Sequence, residues 1–470
     1  MLFNSDPFLF GFLPAAFLIH LLLRRHRKPA ALWLGLASLG FYSWWDWRFT
    51  GLLLLSIAVN YAIGGRIAAT RPQAKRWLAA GIGFDLGLLV LFKYLGFLAG
   101  SAGWPLGFAI VLPLGISFYS FTQIAWLVDL ARSGDDRPSP REYLLFVTWF
   151  PHLIAGPILH HREMIPQFTR AGAFRAGLDD IAAGLTMLCL GLFKKVVLAD
   201  SLAPFVTPVF DQAGIATLLP AWSAALAYSL ELYFDFSGYC DMAIGLSLLF
   251  GIRLPLNFNS PYQAENIIEF WRRWHMTLSR FLREYLYIPL GGSRSGLGRT
   301  GNILITMALG GLWHGAGWGF LVWGLVHGIY LCVNHLWRTL GAKLPGGRAV
   351  AQLVTLLAVI LAWVPFRAPT LGRAEAILAG MAGGNGLGAL DATLLAPACW
   401  IFVLGLVVLF APNSQAILAA ARPALTGVAR PAPAWLSWRL SPGWAGLAGI
   451  GLAAALLRLG QPSPFLYFQF

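Results

Sequence analysis

Apolar positions in this chain gather into runs longer than most soluble core helices need. Phe8–Leu23, Leu78–Phe92 (interrupted only by Asp85), Leu353–Val364 and Trp400–Ala411 are each extended by small residues nearby. A helical membrane span needs about 20 mostly apolar residues, so the pattern predicts an all-α, polytopic bundle. A β-barrel would show short alternating segments, and these are absent. Two stretches do not fit simple spans. YLLFVTWFPHLIAGPIL, residues 143–159, is broken by Pro151, Gly156 and Pro157 and flanked by basic residues around Arg141 and Arg162. Proline removes a backbone donor that lipid cannot replace, so this piece is expected to dip in and return, shielded by protein. The second stretch has apolar positions at helical spacing: Ile267, Phe270, Trp271, Trp274, Leu278, Phe281 and Leu282. Rich in aromatics and bases, it predicts a helix in the interface plane or packed on the cytoplasmic side of the bundle.

Composition fixes the class. The 470 residues are 58% hydrophobic and 11% charged, where a soluble domain carries about 25% charged. The net charge of +14 would suggest nucleic acid in a soluble protein, but here the bases sit in short groups between apolar runs: Arg24, Arg25, Arg27 and Lys28; Arg66, Arg71, Lys75 and Arg76; Lys194 and Lys195. Such groups mark cytoplasmic loops and touch lipid headgroups. Membrane lipids, and no nucleic acid, are the partners expected on this ground. Phe8–Leu23 lacks a basic leader and precedes a basic cluster, the reverse of a signal peptide, so a retained span with its N-terminus outside is expected. Cys189, Cys240, Cys332 and Cys399 lie far apart in apolar sequence, which suggests no disulfide framework and no metal site. The longest polar stretches, Arg132–Glu142 and Leu340–Arg348, are loops, so residues 1–470 are expected to form one integral-membrane domain. No internal repeat of the transporter kind is visible.

Ionisable residues inside apolar runs carry the chemical information, because a charge at the bilayer centre costs about 2.5–3.5 kcal/mol or more without a partner. His314 stands in ITMALGGLWHGAGWGFLVWG. The glycines there leave room beside the imidazole, the side chain best suited to take a proton near neutral pH. His327, thirteen positions on, would point about 220° away on an unbroken helix; the two rings can approach only if the glycines break it. Asp235 and Asp241, with Glu231 one turn earlier, fit a structural polar network, the orienting of a histidine, or a polar passage. Trp271, Arg272, Arg273, Trp274 and His275 fit an interfacial anchor or recognition of an anionic donor, since guanidinium forks suit phosphate. A histidine-relay transporter or flippase and a non-catalytic scaffold of an export complex are the readings from other classes.

Several motifs together bear a family resemblance: LPLGISFYSF at Leu112–Phe121, FPHLIAGPIL at Phe150–Leu159, LYFDFSGYCDMAIG at Leu232–Gly245, NFNSPY at Asn257–Tyr262, EFWRRWHMTLSRFLREYLYIPLGG at Glu269–Gly292 and GGLWHG at Gly310–Gly315. With the opening MLFNSDPFLFGFLP and the closing SPFLYFQF, the chain resembles the membrane-bound O-acyltransferases, most of all the bacterial alginate O-acetyltransferase membrane subunits. Cys240 departs from the serine often found there. The resemblance implies about eleven or more helices around a thin centre, with short and re-entrant helices forming a funnel. It implies that His314 is the active-site histidine midway along a tunnel, with His327 a second candidate. The Trp271–His275 cluster would border the tunnel's cytoplasmic mouth. No permanently bound cofactor is expected; the donor would be acetyl-CoA or another acyl thioester. The expected partners are a periplasmic acyltransferase subunit and the machinery of an exported polysaccharide such as alginate, acetylated cellulose or peptidoglycan. The expected site is the bacterial inner membrane.

Overall fold

The computed structural model describes residues 1–104, 106–134, 137–212, 214–294, 298–341, 345–388, 392–428, 430–460 and 466. The closing SPFLYFQF lies outside them except for Leu466. Among the described residues the regular structure is helical throughout. Among the described residues six helices are long and apolar enough to cross a bilayer: Trp47–Ala69, Arg71–Ser101, Leu178–Ala199, Trp318–Thr339, Gly347–Arg367 and Ala392–Phe410. They leave large apolar side chains such as Leu55, Leu86, Leu353 and Phe402 uncovered, which lipid tails accept as readily as a protein core would. The chain is a multi-pass membrane protein.

The axis of the bundle is the helix Leu218–Leu249. Its 32 residues span about 48 Å. Every residue from Ala227 to Leu249 is buried, so this helix has no lipid-facing stripe. Leu178–Leu192 packs against it through two glycine pairs with the same seven-residue spacing. A Cβ on Gly191 would lie 2.6 Å from the Gly238 carbonyl oxygen, and one on Gly245 would lie 2.5 Å from that of Gly184. Backbone therefore rests on backbone, the contact that small residues permit between membrane helices.

That contact relocates one basic group. Lys194 and Lys195, whose charge predicts a cytoplasmic loop, lie in Phe193–Ala199, a π-turn continuing the helix. Lys194 Nζ stands 2.9 Å from Asp241, and Lys195 Nζ stands 2.7 Å from Asp235 and 2.6 Å from Asp200. Carboxylates on the facing helix supply the counter-charge, which makes two lysines tolerable inside an apolar span. Asp241 also accepts from Ser414 Oγ and, at 3.0 Å, from Gln415 Nε2.

Residues 140–169 form the stretch expected to dip in and return, and it is broken and covered by protein. Pro140–Thr148 begins with a capping box between Ser139 and Glu142, turns at Trp149 into the short helix Phe150–Leu153, and returns as extended chain to the helix His161–Thr169. Residues 145–161 are buried without exception. Phe150 packs on Phe3, Phe8, Phe12 and Phe41, while at the far end Arg27 donates to Thr169 O at 2.5 Å. Protein therefore covers the prolines that lipid could not.

The helix expected over residues 267–282 is two helices. Ile267–Arg273 and Met276–Leu282 are separated at His275, whose backbone is left-handed (φ 42°, ψ 53°). Periodicity fails here because the preceding extended segment competes for the backbone. Asn259 N donates to Arg273 O at 2.9 Å, and Met276 N donates to Asn257 O at 2.9 Å.

Candidate active site

The two histidines of the glycine-rich run stand on a helical hairpin. Gly298–His314 stops at the histidine, residues 315–317 break, and Trp318–Thr339 returns antiparallel. A Cβ on Gly311 would meet Phe320 O at 2.2 Å, and one on Gly324 would meet Met307 O at 2.2 Å. Gly324→Ala should therefore push the hairpin apart and cost roughly 1–3 kcal/mol. The measurement is thermal unfolding of the detergent-solubilised protein, and an unchanged midpoint would contradict this packing.

His314, at the hairpin's tip, is enclosed edge-on by aromatic rings. Trp313, Trp323 and Phe366 have ring centroids 5.0, 5.1 and 5.3 Å away, and His275 lies 6.2 Å away. His327 does not face it directly, since Trp323 stands between them, 5.0 Å from the His327 ring. Trp271 Nε1 donates to His327 Nδ1 at 3.3 Å. An indole N–H only donates, so Nδ1 of neutral His327 accepts and its proton sits on Nε2.

The same logic fixes His275. Asn257 Oδ1 accepts from Thr277 N at 3.2 Å and from Thr277 Oγ1 at 2.9 Å, and lies 3.1 Å from His275 Nδ1. A backbone N–H identifies that atom as oxygen, so His275 Nδ1 carries the hydrogen and Nε2 keeps the lone pair. The five clustered residues thus separate. Trp271, Trp274 and His275 are buried, with Trp274 against Trp363 at 5.0 Å and His275 beside His314. Arg273 pairs with Glu269 at 2.5 Å, and Arg272 is exposed. Asp235 and Asp241 stay in the lysine network already described.

Two cavities flank the helix that ends at His314. One, about 580 Å³, is lined by His314, Trp313, Lys93, Ser117, Trp44 and Trp45 among others. The second, about 670 Å³, is lined by Trp271, Arg272, Arg280, Arg283, Arg299 and His335 together with apolar residues. They share no lining residue. Ile303, Thr306 and Met307 face the basic cavity, whereas Trp313 and His314 face the other. Between the two lies a stack in which Phe121 meets Phe281 at 4.2 Å and Trp313 at 5.3 Å. The basic cavity opens at the end of the bundle that carries Arg27: Arg280 binds Glu163 at 2.6 Å, on the helix whose Thr169 holds Arg27. Trp44 and Trp45 follow the far end of Arg27–Ser43, about 26 Å away.

Two residues of this site escape the sequence pattern. Lys93 lies one position beyond the apolar run Leu78–Phe92, and a lone lysine between Phe92 and Tyr94 was the available signal. Asn257 is visible only as part of NFNSPY.

Comparison with known proteins places the chain in a family. Residues 88–366 match the family described as MBOAT, membrane-bound O-acyltransferase family. The chain is 44% identical over 427 residues to the peptidoglycan O-acetyltransferase of Helicobacter pylori, covering 82% of this chain and 81% of the relative. It is 44% identical over 398 residues to the "Probable alginate O-acetylase AlgI" of Azotobacter vinelandii, covering 81% and 78%. Its identity to the teichoic acid D-alanyltransferase of Bacillus subtilis is 28% over 263 residues, covering 53% and 65%. A polytopic bundle, an acyltransferase family match spanning the histidine hairpin, and relatives that share most of its length lead to one conclusion: this chain belongs to the membrane-bound O-acyltransferase family and is a multi-pass membrane enzyme that transfers acyl groups to oxygen.

Proposed function

We propose that the two cavities receive the two reactants of an O-acetyl transfer and that His314 is the general base where they meet, with residues 1–470 acting as one integral-membrane domain. The observation that supports this most is that a single helix walls both cavities, with His314 at its tip. Basic groups mark the cytoplasmic face, so the cavity beside Arg27, lined by Arg272, Arg280, Arg283 and Arg299, is the entry for an anionic acyl thioester. Acetyl-CoA is the simplest such donor, and guanidinium forks match its phosphates. The acceptor hydroxyl comes from the cavity of His314, and the acetyl end of the donor meets it by passing the stacked rings of Phe121, Phe281 and Trp313. The imidazole removes the hydroxyl proton as the oxygen attacks the thioester carbonyl. The C–S bond then breaks, and the departing sulfur takes the proton back from the imidazolium. Confinement between aromatic walls aligns the reactants and keeps water from hydrolysing the thioester. His327, held by Trp271 and backing Trp323, supports the wall. The final acceptor is an exported polysaccharide, reached through an extracytoplasmic acyltransferase partner. Peptidoglycan and alginate, named for the relatives, are the first polymers to test.

Labelled acetyl-CoA supplied only to the cytoplasmic face of sealed vesicles should deliver label to the opposite side, and absence of transfer would remove it as the donor. Arg272→Gln with Arg299→Gln should raise the donor KM roughly tenfold with little change in kcat, the signature of lost ground-state binding. An unchanged KM would separate the basic cavity from the donor.

A further inference from the structure

We infer that Lys93 and Tyr94 form a clamp, supplied by a different helix, that pins the end of the helix carrying His314 and so positions its imidazole; this rests on the reading of His314 as the general base. The last four carbonyls of an α-helix have no partner within the helix. For Gly298–His314 those belong to residues 311–314, and the helix ends at the buried Gly315, so these carbonyls depend on partners from elsewhere in the chain. Tyr94 Oη donates to Leu312 O at 2.8 Å. Lys93 Nζ donates to Trp313 O at 2.5 Å and to His314 O at 3.1 Å. Two consecutive side chains thus take three of the four open carbonyls, including that of the histidine itself.

The local backbone suits this task. Val90–Tyr94 is a π-turn inside the span Arg71–Ser101. Its wider turn brings consecutive side chains closer in direction than the 100° separation of an α-helix, and such turns recur at functional sites. Lys93 has no carboxylate partner among the described residues. Its third contact is Ser117 Oγ at 3.3 Å, so all its acceptors are neutral and two belong to the helix end. A cation there also faces the negative pole of the helix. Lys93 lines the cavity of His314, yet its hydrogens are committed to protein oxygens, which makes it a positioning residue and not a group that touches substrate.

If the last turn loosens, the ring attached to it moves, and a misplacement of about 1 Å costs on the order of 100-fold in rate. The test compares acetyl transfer by the full-length protein, per molecule in the membrane, for Lys93→Met, Lys93→Arg, Tyr94→Phe and His314→Ala, alongside detergent unfolding midpoints. Lys93→Met should lose on the order of 100-fold in kcat at unchanged donor KM and a near-normal midpoint. Lys93→Arg, still able to donate to both carbonyls, should recover most of it. Tyr94→Phe, which deletes one hydroxyl, should lose about tenfold. Full activity of Lys93→Met with His314→Ala inactive overturns the clamp alone; an active His314→Ala overturns the site reading with it. If Lys93→Met fails to fold, Tyr94→Phe decides, and a wild-type rate there overturns the proposal. Loss of both activity and midpoint in Lys93→Arg and Tyr94→Phe alike makes the contacts merely structural and also overturns it.

Discussion

Replacing His314 by Ala or Gln is expected to lower acyl transfer by roughly 10²–10⁴-fold, the usual contribution of a positioned proton acceptor, while the protein still inserts at normal abundance. The two expectations separate because of where the side chain lies. His314 touches an existing cavity on one side and rings on the other, so truncation enlarges a space the fold already tolerates. The measurement is polymer-bound O-acetyl per unit of membrane-inserted protein, repeated with purified enzyme where transfer can be reconstituted. Near-wild-type transfer by either variant would take His314 out of the chemistry.

Lys195→Met is expected to act oppositely, on the fold before the reaction. The Lys195 and Asp235 side chains are 2% and 1% exposed and lie 2.7 Å apart. Removing the lysine leaves a carboxylate uncompensated inside the bundle, at a cost of about 3–5 kcal/mol, a large part of the roughly 5–15 kcal/mol that holds a typical domain folded. Little protein should reach the membrane in folded form. The double variant Lys195→Met with Asp235→Leu removes the two most buried charges, leaves only the partly exposed Asp200 of the cluster, and should regain part of the abundance, since apolar replacement of a buried pair is often neutral. Normal abundance of the single variant would mean that the pair contributes nothing.

The features legible in the sequence share one property: they depend on neighbours along the chain. The runs Leu78–Phe92, Leu353–Val364 and Trp400–Ala411 fall in candidate spans, whereas Phe8–Leu23 lies in the shorter apolar helix Pro7–Leu23; Pro151, Gly156 and Pro157 marked the broken, buried stretch, and the glycines around His314 marked where a helix could break. What the sequence hid depends on partners distant in the chain. Charge grouping cannot reveal that Lys194 and Lys195 face Asp241 and Asp235 some forty residues later, so they resemble a loop. Helical spacing over residues 267–282 is real, but Asn257 captures Thr277 N–H and ends the first helix early. The same contact carries His275 from the expected rim of a passage to the side of His314. Lys93 escaped the sequence reading, because the carbonyls it meets lie more than two hundred residues away.

The stacked rings of Phe121, Phe281 and Trp313 bear on the energetics of the cell. An enzyme open to reagents on both faces of an energised membrane risks becoming a leak, and each elementary charge crossing 100 mV dissipates about 2.3 kcal/mol. The two chambers have no lining residue in common, so a hydrated ion crossing from one to the other would have to displace these rings. Cells producing this protein in quantity should hold their proton-motive force, and thinning the stack with Phe121→Ala should make that force collapse before catalysis suffers.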